Sequence, residues 1–168
     1  MAHLPHAANA FRLAMRRFAS TVSVISTLND NVRHAMTATA VTSLSMEPPS
    51  LLVCVYRESR FHKVLQDQEL FCVNVLYSDQ SEASQAFSKP ATAQDYDRFG
   101  WSNADGFCYL TDAQANLFCR NTRQISFGSH TIFIGTVLDV TLRESVAPLI
   151  FQNGQYGAHM PLTASRTT

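Results

Sequence analysis

The segment Met36-Thr-Ala-Thr-Ala-Val-Thr-Ser-Leu-Ser45 holds the densest set of chemically useful side chains in this 168-residue chain. On a strand, alternate side chains share a face. Thr37, Thr39, Ser43 and Ser45 then form a hydroxyl row interrupted by Val41, while Met36, Ala38, Ala40, Thr42 and Leu44 turn the other way. Hydroxyls donate to phosphate or carbonyl oxygens and accept from ring N–H groups. The small Ala38 and Ala40 leave room for something flat or for a neighbouring subunit. An ordinary solvent-facing strand has the same look, since Thr is a good strand residue and Ser a common polar filler.

Two further segments carry chemistry. In Tyr56-Arg-Glu-Ser-Arg-Phe-His-Lys63 a strand ends, Ser59 caps a helix, and Arg57, Arg60 and Lys63 gather at its start. Helix N–H groups beside cations attract an anion; a basic, solvated helix turn reads the same way. In Gly128-Ser-His130 a histidine opens the strand Thr131-Ile-Phe-Ile-Gly135, from where it can reach a ligand over a sheet edge. A lone histidine is more often structural or merely exposed, and His34 draws the same reading.

Several chemistries are excluded. The six glycines form neither G-x-G-x-x-G nor G-x-x-x-x-G-K-[ST], so the two commonest glycine-built phosphate cradles are absent. No His, Cys and carboxylate spacing fits zinc, and no G-x-S-x-G elbow occurs. Cys54, Cys72, Cys108 and Cys119 show no C-x-x-C spacing and lie in apolar runs, as buried reduced thiols do. Thirteen basic and thirteen acidic side chains cancel, which gives no reason to expect a nucleic-acid or anionic-membrane partner. No apolar run approaches the ~20 residues of a membrane span. Arg12, Arg16 and Arg17 interrupt any leader-like apolar run, so a cytoplasmic location is expected.

These residues need a scaffold. Apolar residues make up 46% of the chain and charged ones 15%, enough for one core, and no linker or repeat divides it. A single domain over 1–168 is expected, with its core at about 9–157 and flexible ends. Asn9 can cap a first helix through Phe18, with Phe11, Met15 and Phe18 on one face. A strand over 21–27, a turn at Asn29-Asp-Asn31 and a strand over about 33–45 make a hairpin, and Glu47-Pro-Pro-Ser50 breaks the ladder. Strands follow at 51–56 and 70–76, with a helix to about Gln66 between them. Ser78 or Asp79 opens another helix to Phe87, Glu82 standing as in a capping box. Residues 88–105 read as loop, and strands return at about 106–111, 113–121, 130–143 and 148–152. The fold class is mainly β, an antiparallel barrel with a few peripheral short helices.

Taken together the segments resemble the short flavin reductases that serve two-component monooxygenases. The matching pieces are Phe11-Arg-x-Ala-Met-x-x-Phe18, Val24-Ile-Ser-Thr27, Met36 to Ser45, Pro48-Pro-Ser-Leu-Leu-Val-Cys-Val55 and Cys72-Val-Asn-Val-Leu76. Gln80 with Phe87, Asp97-Arg-Phe99, Gly128-x-His130 and Pro148-Leu-Ile-Phe151 up to Tyr156 complete the series. Each motif is weak alone; their order over about 9–157 is specific.

The resemblance implies a split β-barrel with Greek-key character and non-covalent FMN or FAD. It implies NADH or NADPH as co-substrate, a homodimer, and a flavin-dependent monooxygenase that receives the reduced flavin. It places Thr37, Ala38, Thr39 and Ser43 against the flavin, and the end of the Cys54 strand with Arg57 and Ser59 at its ribityl phosphate. Asn74, Gln80, Phe87 and Lys89 correspond to the far wall, His130 to the histidine near the nicotinamide, and Tyr156 to the late tyrosine of the dimer-facing pocket. Two departures stand out: Ser129 replaces a frequent Asp that could orient His130, and a basic Tyr56-Arg-Glu-Ser-Arg60 replaces an Asn- or Ser-rich stretch. Hydride transfer between the two cofactors needs stacked rings with reacting atoms ~3–3.5 Å apart, so the protein supplies orientation rather than an acid–base pair. A flavin-binding module without turnover, or a pyridoxamine-phosphate oxidase-like FMN enzyme, would suit the same barrel.

Overall fold

The computed structural model describes residues 4–162. In chain order its elements are α1 (Leu4–Met15), β1 (Ser20–Thr21), β2 (Ser23–Asn29), β3 (Val32–Ala38), β4 (Val41–Met46) and β5 (Pro49–Tyr56). Then come α2 (Arg60–Leu65), β6 (Leu70–Val75), α3 (Ser81–Phe87), α4 (Ala93–Arg98), β7 (Trp101–Ala104) and β8 (Phe107–Leu110). β9 (Ala115–Phe127), β10 (His130–Leu142), β11 (Leu149–Gln152) and β12 (Gln155–Ala158) complete the chain. The expectation of flexible ends falls partly on residues 1–3 and 163–168, outside the described residues.

One antiparallel sheet of seven strands, in the order β3-β2-β6-β9-β10-β5-β4, dominates the molecule. Its two edge strands, β3 and β4, are separated in sequence by Thr39 and Ala40 alone. Laid flat, seven strands would span roughly 29 Å, whereas a two-residue link reaches only about 11 Å. The sheet therefore rolls up until its edges approach. The expected single strand over 33–45 is thus two strands on opposite edges, and no continuous hydroxyl row crosses the break.

Rolling creates two apolar layers. Ile25, Val53, Val55, Phe71, Val73 and Phe133 fill the inside. Val22, Val24, Leu76, Phe87, Leu110 and Leu149 pack between the sheet, α3 and the small β1-β11-β12 sheet. β5 buries Leu51, Val53 and Val55 in strict alternation, as a strand with one core face should. Gly135 is required where β10 passes Phe71, because a Cβ there would lie 2.5 Å from the Phe71 ring.

Turn chemistry sets the hairpins. Asp30 and Asn31 both take positive φ (49° and 62°) in the expected β2–β3 turn. Asp105-Gly106 and Asn153-Gly154 do the same for β7–β8 and β11–β12. The segment 88–105, expected as loop, contains α4 and β7: Thr92 and Asp95 cap α4 reciprocally. The capping box expected at Asp79 is absent; Gln80 occupies the N-cap and its Oε1 accepts from the Tyr77 N–H. Asn9 lies inside α1 rather than capping it, its Oδ1 accepting from Arg12. Among the described residues no helix is long and apolar enough to cross a membrane.

Candidate functional site

A groove of about 980 Å³ follows the free edge of β3. α2 and the residues before it form one bank, and the segment from Phe87 to Asp97 forms the other. An edge strand leaves a row of backbone N–H and C=O groups unpaired, so the floor offers hydrogen bonds at fixed spacing without any glycine loop. The half-buried Met36 gives the walls apolar surface, backed by the buried Phe61 and Phe87, and Arg33, Arg60 and Lys89 outnumber the carboxylates of Glu58 and Asp97. A planar, amphipathic ring with an anionic tail suits this lining. Among the described residues no three His, Cys, Asp or Glu side chains gather as metal ligands do.

Local structure fixes each wall. Ser59 caps α2 as expected, its Oγ accepting from the His62 N–H at 3.1 Å. That turn places the buried His62 on Thr131, Nε2 to Oγ1 2.8 Å, and seats α2 against β10. Burial, helped by the nearby Arg57 cation, lowers the pKa of His62. On the opposite bank Phe87 packs on Tyr96 and Trp101, at ring distances of 5.3 Å each. Burial raises the Tyr96 phenol to about 12 and lowers the pKa of His34, so at neutral pH neither adds charge to the groove.

Of the residues expected to bind the ligand, Thr37, Ser59, Phe87 and Lys89 line this groove. Thr37 donates through Oγ1 to the Ser84 carbonyl at 2.6 Å, and the Ser84 hydroxyl lies 2.8 Å from Tyr156 Oη. Tyr156 is thereby joined to the groove's edge strand through α3.

A second group gathers at the β5–β10 end. His130 pairs with Tyr56 across the ladder, and its ring lies 5.6 Å from the Tyr56 ring. The Arg57 N–H donates to the Ser129 carbonyl at 3.0 Å, and Ser129 Oγ lies 2.9 Å from His130 Nδ1. The hydroxyl of Ser129, noted in the sequence as a departure from a frequent Asp, thus reaches the His130 ring itself. Cys54 stands two residues before Tyr56, half-buried, and its N–H donates to the Ala40 carbonyl in the β3–β4 link. Thr39 and Ser43 are exposed, on the link and on β4, and neither lines the groove.

Three expected residues sit elsewhere. Ala38 is only 8% exposed and packs into the inner core, so it presents no open surface. Asn74 is fully buried. Its Nδ2 donates to the Val24 carbonyl and Ser26 Oγ, and its Oδ1 accepts from the Leu110 N–H and from Asn116. No atom of that amide is left for a ligand. Gln80 lines a different cleft of about 420 Å³ with Arg98, Asp112 and Arg143. Sequence reasoning passed over Arg33 and Tyr96 as groove residues; only the folded positions of β3 and α4 bring them together.

All four cysteines are free. Burial raises Cys72, and lifts Cys108 to about 11 and Cys119 to about 12, which keeps these three as protonated, unreactive thiols.

Residues 15–159 match the flavin reductase like domain. The chain is 44% identical over 155 residues to the reductase component of an FADH(2)-dependent resorcinol hydroxylase from Rhizobium sp. (strain MTP-10005), covering 90% of this chain and 87% of that one. It is 34% identical over 148 residues to the FMN reductase (NADH) RutF of Stutzerimonas stutzeri (strain A1501), covering 87% and 85%. Among solved structures, the NADH:FAD oxidoreductase SgcE6 of Streptomyces globisporus C-1027 superposes with a TM-score of 0.87 at 28% identity, over 95% of this chain and 96% of that one.

Proposed function

The chain belongs to the flavin reductase like family, and from that premise we propose how its groove and its β5–β10 end divide the work of an NAD(P)H:flavin oxidoreductase. The enzyme passes a hydride from reduced nicotinamide to FMN or FAD and supplies diffusible reduced flavin to a partner monooxygenase. The observation that carries the division of labour is the unpaired β3 edge, floored in backbone hydrogen-bonding groups and flanked by apolar walls and cations.

A bound flavin supplies a two-electron acceptor. The chain's own residues hold and orient. The β3 edge with Thr37 meets the polar rim of the ring, and the buried Phe87 stiffens the opposite bank from behind. Ser59, Arg57 and Lys89 offer a hydroxyl and two cations to the phosphate. Thr39 and Cys54 frame the continuation towards His130, which receives the nicotinamide, whereas Ser43, paired with Leu51 on β5, stands away from the Tyr56–His130 pair. A cradle of backbone groups and hydroxyls suits a non-covalently held flavin that must leave after reduction.

RutF is an FMN reductase (NADH) and SgcE6 an NADH:FAD oxidoreductase, which supports NADH as the donor. The rolled sheet and its likeness to the SgcE6 structure support a split barrel with Greek-key character in one domain. Phe11 and Phe18, 67% and 61% exposed, support a homodimer that covers α1 and the turn after it, since such apolar surface is rarely left to water. A cytoplasmic location accords with a reductase fed by soluble NADH.

The test is turnover: purified protein with NADH or NADPH and with FMN or FAD, followed at the nicotinamide absorbance band. Flavin-dependent oxidation with at least one pair is expected. No oxidation with any pair, together with tight flavin retention, would leave a binding module in its place.

A further inference from the structure

We propose that Ser129 is the positioning residue of His130: its hydroxyl donates to Nδ1 and holds the neutral imidazole with an Nε2–H donor facing the nicotinamide site. The proposal rests on the reading of His130 given above, and its test separates the two.

The turn makes the contact a built one. Gly128, at φ 55°, bends the chain so that Phe127 and His130 pair across a two-residue turn. The Ser129 carbonyl is tied to the Arg57 N–H at 3.0 Å, which fixes the residue's backbone to the end of β5. Its Oγ then lies 2.9 Å from Nδ1, while Tyr56 flanks the ring at 5.6 Å with planes 54° apart. Among the described residues Nε2 has no protein partner, so it is the nitrogen left for a ligand.

Which proton goes where follows from the donor inventory. A hydroxyl can donate or accept, whereas an ionised carboxylate only accepts. Aspartate at position 129 would therefore require Nδ1–H. Nε2 would then donate to a ligand only in the imidazolium form. Serine can fill the Nδ1 lone pair instead, and the neutral ring keeps its proton on Nε2. The carboxamide oxygen and diphosphate oxygens of a reduced nicotinamide dinucleotide are acceptors that such a donor meets. Ser129 and His130 are both exposed in the free chain; a docked cofactor that covers them lowers the local dielectric and strengthens the pair.

The tautomer is read directly from long-range proton–nitrogen spectra of the 15N-labelled His130 ring, recorded at mildly alkaline pH. The wild type and Ser129→Thr are expected to show the Nε2–H form. Ser129→Ala shows a mixture of tautomers, and Ser129→Asp shows Nδ1–H. In turnover, Ser129→Ala raises KM for NADH about fivefold, the effect of one neutral hydrogen bond, with kcat within about twofold. Ser129→Thr restores the wild-type KM.

A wild-type ring in the Nδ1–H form overturns the proposal. So does a Ser129→Ala protein with wild-type spectra and wild-type KM. If His130→Ala itself leaves KM unchanged, the placement of His130 fails, and the spectra then report the Ser129 contact as structural only.

Discussion

Two polar clusters in this protein are built from similar side chains and do opposite things. Around Asn74, beneath the β7–β8 hairpin, every hydrogen-bonding atom of the amide is spent on Ser26, Asn116 and the backbone of Val24 and Leu110. Along the β3 edge and at the β5–β10 end, Ser59 and Ser129 hold their neighbours in place, and with Lys89 and His130 they keep capacity free. The closed cluster braces a hairpin to the sheet; the open one can receive a ligand. Residue type does not separate them. What separates them is whether the fold has already used the donors and acceptors.

The sharpest way to break the contrast is Asn74→Ala. It strips partners from the buried Leu110 N–H and from Asn116, and a loss of roughly 3 kcal/mol or more in urea unfolding is expected. An Asn74→Ala protein of unchanged stability but impaired flavin binding would move that residue from brace to ligand site. His130→Ala should do the reverse. KM for NADH rises about tenfold, with unfolding free energy within ~0.5 kcal/mol of wild type. Next in size is Lys89→Ala, for which flavin titration should give about threefold weaker binding, an effect that shrinks with added salt as expected of an exposed cation.

The smallest effect is on pH dependence. His62 and His34 both have lowered pKa values, from burial first. Below about pH 6.5 the unfolded chain therefore binds protons that the folded chain refuses. Stability is fully present above that value and falls as the solution is acidified through it. His62→Gln should flatten this part of the urea midpoint-versus-pH curve, without abolishing it while His34 remains.

Much of the scaffold was legible in the sequence where local chemistry sufficed. Asn29-Asp-Asn31 forms its hairpin, Ser59 caps its helix, and the continuous apolar run from Leu51 to Tyr56 forms its strand, while the alternation of its burial shows only in the fold. The break at Thr39-Ala40 was not legible, because the alternation runs through it without Gly or Pro; only the need to join opposite sheet edges ends the strand there. Asp105-Gly106 and Asn153-Gly154 did carry the signal of their turns, but a polar stretch and a chain end masked the short strands they connect.

The site divided in the same way. Ser59, Thr37, Phe87 and Lys89 were grouped by the resemblance to the flavin reductases, which assigns all four to one flavin site. Asn74 sits in an apolar run, where an amide serves a ligand or a core network equally well, and its partners lie 36 and 42 residues away. Arg33 and Tyr96 reach the groove only once β3 becomes an edge and α4 folds over it.

Hydrogen–deuterium exchange with and without saturating FMN or FAD addresses the flavin site most directly. If the free edge of β3 holds the ring, amides in 32–38 and in the facing segment 87–97 slow on flavin binding, while those around Asn74 stay at their already protected rates. Saturable binding that leaves 32–38 unchanged, or that protects the cleft of Gln80 and Arg143 instead, would contradict the account.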